Sequence, residues 1–107
     1  MIYHITSNEL WEKHFPSKIY KHPTLETEGF IHCSTKDQFL ATLNRHFQNE
    51  TEVLVLDIVE KRISDILKWE KSTNEELYPH IYGGLPIHAV EDLHPWMKNE
   101  KGEWEKV

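Results

Sequence analysis

Apolar and polar positions alternate over residues 1–5, which predicts a first strand with Tyr3 and Ile5 on one face and Ile2 and His4 on the other. Thr6-Ser7-Asn8-Glu9 fits a capping box that opens a helix. Leu10, Trp11, His14 and Phe15 would form its inner stripe, and Pro16 would stop it. Residues 17–29 read as a loop punctuated by Pro23 and Gly29, with Tyr20 and Leu25 as anchors. Residues 30–33 predict a second strand. A helix over residues 35–47 follows, with Phe39, Leu40, Leu43 and Phe47 turned inward. Residues 53–59 are apolar enough for a central strand. A short helix at 61–67 and a strand at 67–70 come next, then a polar loop at 72–76. Residues 77–86 are dense in aromatic, Gly and Pro residues, which predicts an irregular backbone. Strands are expected at 87–90 and 93–97, the latter pairing with 103–107 across a turn at Lys101-Gly102. This order predicts one α+β domain over residues 1–107, with a small mixed or antiparallel sheet and two to three helices.

Composition narrows the function. The chain has 107 residues, enough for one core, and a formal net charge of −6. Its only arginines are Arg45 and Arg62. Duplex nucleic acid needs a basic face to meet its phosphates, so such a partner is not expected. A small anionic ligand remains open. No apolar run has the length of a membrane span and no signal peptide is evident, so no membrane partner and a cytoplasmic location are expected. The lone Cys33 rules out an intramolecular disulfide. Histidine is the anomaly, at eight residues. His4, His32, His80, His88 and His94 fall in or beside apolar runs, whereas His14, His22 and His46 read as surface or loop residues.

The run Gly29-Phe30-Ile31-His32-Cys33-Ser34 carries the most chemistry. A polar group on a buried strand is costly without a partner, so His32 is either a satisfied core histidine or part of a site. Cys33 and His32 point to opposite strand faces and cannot act as nucleophile and base together. Cys33 belongs with Ile31 in the core, as inert packing. His4, His32 and His80 could meet as a zinc site, but no His-x-His, His-x-x-x-His or HExxH spacing supports one. No metal is therefore assigned. A ligand cleft is the better reading. His4, Tyr20, His32, His80 and Tyr82 offer stacking surfaces and directional hydrogen bonds of the kind a nucleotide pocket needs. Glu70 beside Trp69 could act as a general base or bind ribose hydroxyls; as an isolated glutamate it could equally be solvated surface. Ser34 or Thr35 caps the following helix, whose N-terminus would also attract an anion. Residues 98–106 mix acids and bases, as a solvated end does.

These residues together resemble a family. Ile2-Tyr3-His4-Ile5-Thr6, Trp11, Tyr20, Glu28-Gly29-Phe30-Ile31-His32-Cys33-Ser34, Trp69-Glu70, Pro79-His80-Ile81-Tyr82-Gly83 and Leu85-Pro86 resemble, in order, the family called domain of unknown function 952. That family is similar in fold to ADP-ribosyltransferases, so the resemblance implies a split α+β sheet with an NAD-binding cleft. It implies that His4 bonds the nicotinamide-side ribose and that His32 lies next to the nicotinamide. Tyr20, Ser34, His80 and Tyr82 would line the cleft. A third motif usually supplies a carboxylate; Glu70 and His80 both match its region, and neither is assigned. NAD is thus the expected co-substrate. Transfer to an unknown acceptor or hydrolysis of the nicotinamide bond is the expected chemistry, with a non-catalytic nucleotide or metabolite sensor as the alternative and a metal-assisted hydrolase built on the histidines as a third reading.

Overall fold

A computed structural model of the chain describes residues 1–14 and 17–107. Phe15 and Pro16, expected to complete and stop the first helix, lie outside the described residues. In chain order the elements are β1 (Ile2–Thr6), α1 (Asn8–Glu12), β2 (Ile19–Tyr20), α2 (Thr24–Thr27), β3 (Ile31–His32) and α3 (Lys36–His46). They continue as β4 (Glu52–Ile58), β5 (Leu67–Lys71), β6 (Leu77–Ile81), β7 (Leu85–Pro86), β8 (Val90–Lys98) and β9 (Trp104–Lys106). Two 3₁₀ turns lie at Glu60–Ile63 and Ile87–Ala89. The chain is α+β, and its described strand pairings are antiparallel.

The strands form a four-stranded sheet in the order β1-β4-β8-β9, a three-stranded sheet β3-β6-β5, and a β2-β7 pair. Period-two alternation explains the two cores. Ile2, Leu54, Leu56 and Ile58 face the three-stranded sheet and pack with Tyr20, Ile31, Ile81 and Leu85. Ile5, Val53 and Val55 face the other way and pack under Phe39 and Leu43 of α3. The near-continuous apolar run of β4 is therefore a strand covered on both faces. Each fully buried Leu or Ile contributes roughly 1.5–3 kcal/mol.

The cap of α1 is Ser7, which accepts from the Leu10 N–H, one residue beyond the Thr6 that would open the expected Thr6–Glu9 capping box; on α3 the cap is Thr35, one of the two expected, in a reciprocal box with Gln38. Leu40, expected to face inward, is half exposed, because one residue of helix turns it about 100° from Phe39. Gln38 is buried instead, and its amide donates to the Leu77 carbonyl at 2.8 Å, tying α3 to β6.

The expectation of irregular backbone at 77–86 is corrected. Residues 77–81 form the central strand of the three-stranded sheet, with Pro79 in the middle. The Pro79 carbonyl accepts from the Cys33 N–H, so the missing Pro79 N–H points the same way, toward the end of β3. The ladder to β5 loses nothing. Irregularity is confined to the Gly83-Gly84 turn. There a Cβ on Gly84 would meet Ile19 Cγ2 at 2.4 Å, so a bare backbone is what lets β7 approach β2. The expected strand at 87–90 is a 3₁₀ turn from which β8 starts at Val90. The expected loop at 17–29 holds β2 and α2. Among the described residues no helix is long and apolar enough to cross a membrane.

Candidate functional site

Two sheets meet at one point. The Tyr3 N–H donates to the Ser34 carbonyl and the Ser34 N–H to the Tyr3 carbonyl, both at 2.8 Å. Beside this bridge opens a cleft of about 670 Å³, within the range of small-molecule sites. Tyr3 and His4 of β1 line it, with His22, Thr24, Glu28, Phe30 and His32 from the segment that follows β2. Thr42, Arg45 and His46 of α3, Lys71 at the end of β5, and Tyr78 and His80 of β6 complete the walls.

His4 sits at the back, 2% exposed. Its Nδ1 lies 2.6 Å from the His32 carbonyl and its Nε2 lies 2.8 Å from the Tyr20 hydroxyl. A carbonyl only accepts, so Nδ1 carries the proton. Burial pushes the His4 pKa down to about 3, overriding the bond to His32, so the ring is neutral and Nε2 accepts from Tyr20. The Tyr20 hydroxyl also bonds the Thr6 hydroxyl at 2.8 Å, which closes the buried chain. Burial raises the Tyr20 pKa, which keeps the phenol protonated. Both nitrogens of His4 are thus held by protein groups, and a direct bond to a ribose requires one of them to break. His4 fixes the His32 backbone. Tyr20 is fully buried behind it rather than on the cleft wall.

The open wall is the outer face of the three-stranded sheet. Alternation sends Ile31 and Cys33 into the core and Phe30 and His32 into the cleft. Burial raises the Cys33 thiol pKa, so Cys33 is the inert packing residue expected. His32 stands opposite His80 in the ladder. Its Nε2 donates to Glu28 at 3.1 Å. His80 stacks on Phe30, with ring centroids 4.0 Å apart and planes 19° apart. His80 Nδ1 donates to Glu70 Oε1 at 2.8 Å, and the Tyr82 hydroxyl donates to the same oxygen at 2.6 Å. The bond from Tyr82, then that from His80, lowers the Glu70 pKa, and the carboxylate raises that of Tyr82 in return. Glu70 and Tyr82 are therefore joined to the site through His80 and do not line the cleft. Ser34 lines it, but Thr35 is the helix cap. The Ser34 hydroxyl bonds Thr42 at 3.1 Å.

Sequence reasoning passed over His22, Glu28, Arg45, His46 and Lys71. His22 is held in place locally: the Thr24 N–H donates to its Nδ1 at 3.2 Å, so a neutral ring carries its proton on Nε2. Burial lowers its pKa, and nearby His32 adds to this. A His-Pro-Thr run just before a helix was the available signal. Glu28 and His32 are four apart, a separation that reads as a helical pair, yet the chain turns at Gly29 between them. His4, His32 and His80 do not assemble as a metal site: His4 has no nitrogen to give, and among the described residues no group of three or more His, Cys, Asp or Glu could hold an ion.

The fold and site thus define a small α+β protein with an imidazole-lined cleft where two antiparallel sheets join. The family described as protein of unknown function (DUF952) matches residues 5–93, and the chain belongs to it. The crystal structure of protein CC0527 from Caulobacter crescentus is similar: TM-score 0.88 and 24% identity, covering 97% of this chain and 92% of that one. Its solution structure gives a TM-score of 0.81 at 24% identity, over 94% and 88% of the two chains. At that identity the likeness shows a shared fold. No curated protein matches the chain.

Proposed function

We propose that the cleft is a nucleotide site with NAD as its ligand, on an ADP-ribosyltransferase-like domain. The observation that carries the reading is the composition of the walls. The lining offers the rings of Phe30, His32, Tyr78 and His80, and beside them the cations Arg45 of α3 and Lys71 of β5. A planar base or nicotinamide needs the first, and phosphates need the second. The chemistry would be cleavage of the nicotinamide–ribose bond, by transfer to an acceptor or by hydrolysis. That bond breaks through a cation-like sugar, which a nearby carboxylate stabilises. Glu28 is the carboxylate on the cleft wall, held by His32, and takes the role expected of Glu70. His4 serves from behind, by fixing the His32 carbonyl.

Calorimetric titration with NAD is the test. Saturable binding supports the reading, and none at millimolar NAD overturns it. A second reading, a non-catalytic nucleotide sensor, is favoured by the engagement of both His4 nitrogens within the protein. Binding without nicotinamide release would select it.

A further inference from the structure

His80 takes its tautomer from a carboxylate that itself lies outside the cleft. Glu70 accepts the hydrogen bond from Nδ1–H, while the His80 ring lines the cleft. A carboxylate oxygen has no proton to give when ionised, so the neutral imidazole must keep Nδ1–H and leave Nε2 as a bare lone pair. Three contacts prevent the ring from turning: the Glu70 bond, the Phe30 stack, and the edge of His32 at a centroid distance of 5.5 Å. Tyr82 in turn fixes Glu70. A merely structural surface histidine needs none of this support, and a histidine that accepts protons gains from all of it. When Nε2 takes a proton, the new positive charge sits 2.8 Å from a carboxylate already in place.

We propose that His80 is the general base of the cleft, with Glu70 and Tyr82 as its positioning residues. This rests on the reading of the cleft as an NAD site. The step balances as follows. The oxygen of a water molecule bonds to the ribose carbon that carries nicotinamide. The carbon–nitrogen bond breaks, and its electron pair leaves with nicotinamide, cancelling the pyridinium charge. The water gives one proton to His80 Nε2, and the imidazolium later releases it to solvent. The products are ADP-ribose, nicotinamide and one proton. Because nicotinamide leaves neutral, the step needs a base and no acid, which matches a site whose fixed histidine has its lone pair forward.

Groups facing His80 are Glu70 and Lys68 on β5, Tyr78 and Tyr82 beside it on its own strand, and His32 with Glu28 across β3. The test therefore separates Glu70 from the rest. Nicotinamide release and calorimetric NAD affinity are measured across pH for the full chain, His80→Gln and Glu70→Gln. The expected result is saturable NAD binding by both variants, which shows that they fold, with affinity within about threefold of wild type for Glu70→Gln, whose side chain does not line the cleft, and release compared at saturating NAD. Release should fall at least about a hundredfold in His80→Gln. In Glu70→Gln, release should fall and imidazole nitrogen NMR should show His80 no longer held in one tautomer, because an amide can donate to Nδ1 as well as accept from it. Independently, imidazole nitrogen NMR without NAD should show His80 as the Nδ1–H tautomer. Wild type that binds NAD and releases no nicotinamide overturns the proposal and leaves the NAD site standing. So does undiminished release from His80→Gln, or an Nε2–H tautomer. Absence of NAD binding overturns both readings together.

Discussion

His32 and His80 face each other across the ladder between β3 and β6, and each is tied to a different carboxylate, Glu28 and Glu70. The pairing follows from the pleat. The residues between and beyond them, Ile31, Cys33, Pro79 and Ile81, point into the core, so the histidines must point out of it. The core side of the same strands is apolar and closed. The opposite side concentrates imidazoles, carboxylates and rings on one short sheet. Packing explains the first pattern, and the second is what the proposed nucleotide site rests on.

His4 makes stability depend on pH, and the sign follows from its neutral state. Its folded pKa is near 3, well below the ordinary value of about 6.5. Between those values the unfolded chain binds the proton and the folded chain does not. His4's share of stability is therefore complete above about pH 6.5 and is lost as pH falls toward 3, at up to about 1.4 kcal/mol per pH unit. Urea unfolding at a series of pH values should show this loss. His4→Asn keeps a donor for the His32 carbonyl and cannot titrate, so its slope should be shallower by up to one proton. Equal slopes would mean that His4 is charged or accessible in the fold.

Tyr20→Phe tests the buried chain from His32 to Thr6. The substitution keeps the ring, which packs on Trp11 and His4, and removes only the hydroxyl. It strips His4 Nε2 and Thr6 of a partner at once. The expected cost is about 1–3 kcal/mol in urea unfolding, the usual penalty for a buried polar group left unsatisfied. Adding Thr6→Val should cost less than the two single changes summed, because they break one network.

The strands and helix caps were legible because they are local. Ser34 or Thr35 announces α3 from sequence alone, and alternation sorts Cys33 from His32. The family resemblance pointed to the stretch of sheet that lines the cleft. What could not be read depends on which strand lies beside which. Pro79 reads as a breaker until its missing donor is seen to face the end of β3. Glu70 reads as the site's carboxylate until β5 pairs with β6 and places it behind His80. Glu28 reads as loop surface until the turn at Gly29 brings it back over His32. His22 was passed over because its turn, not its neighbours in sequence, directs it into the cleft.

Gly84→Ala tests the approach of β7 to β2. The added methyl would fall 2.4 Å from Ile19 Cγ2, a branch at the stiff Cβ that cannot swing aside. The expected loss is about 1–3 kcal/mol, read by thermal or urea unfolding. Ile19→Ala removes the obstructing carbon, so Gly84→Ala should cost less in the Ile19→Ala background than in the wild type. Full additivity would show that the clash is relieved elsewhere.

Arg45 and Lys71 test the proposed phosphate contacts separately from the histidines of the lining. Both line the cleft and both are exposed, so neutral replacements should leave the fold intact. Arg45→Gln or Lys71→Gln should each weaken NAD binding roughly three- to tenfold, as loss of one solvent-screened charge contact does. The loss should shrink as salt rises. Nicotinamide riboside carries the same ring and sugar without phosphate, so its affinity should not change. His32→Ala should do the reverse and weaken both ligands alike. If Arg45→Gln and Lys71→Gln weaken nicotinamide riboside as much as NAD, these side chains shape the cleft rather than bind phosphate, and the ligand's orientation in the cleft must be reassigned.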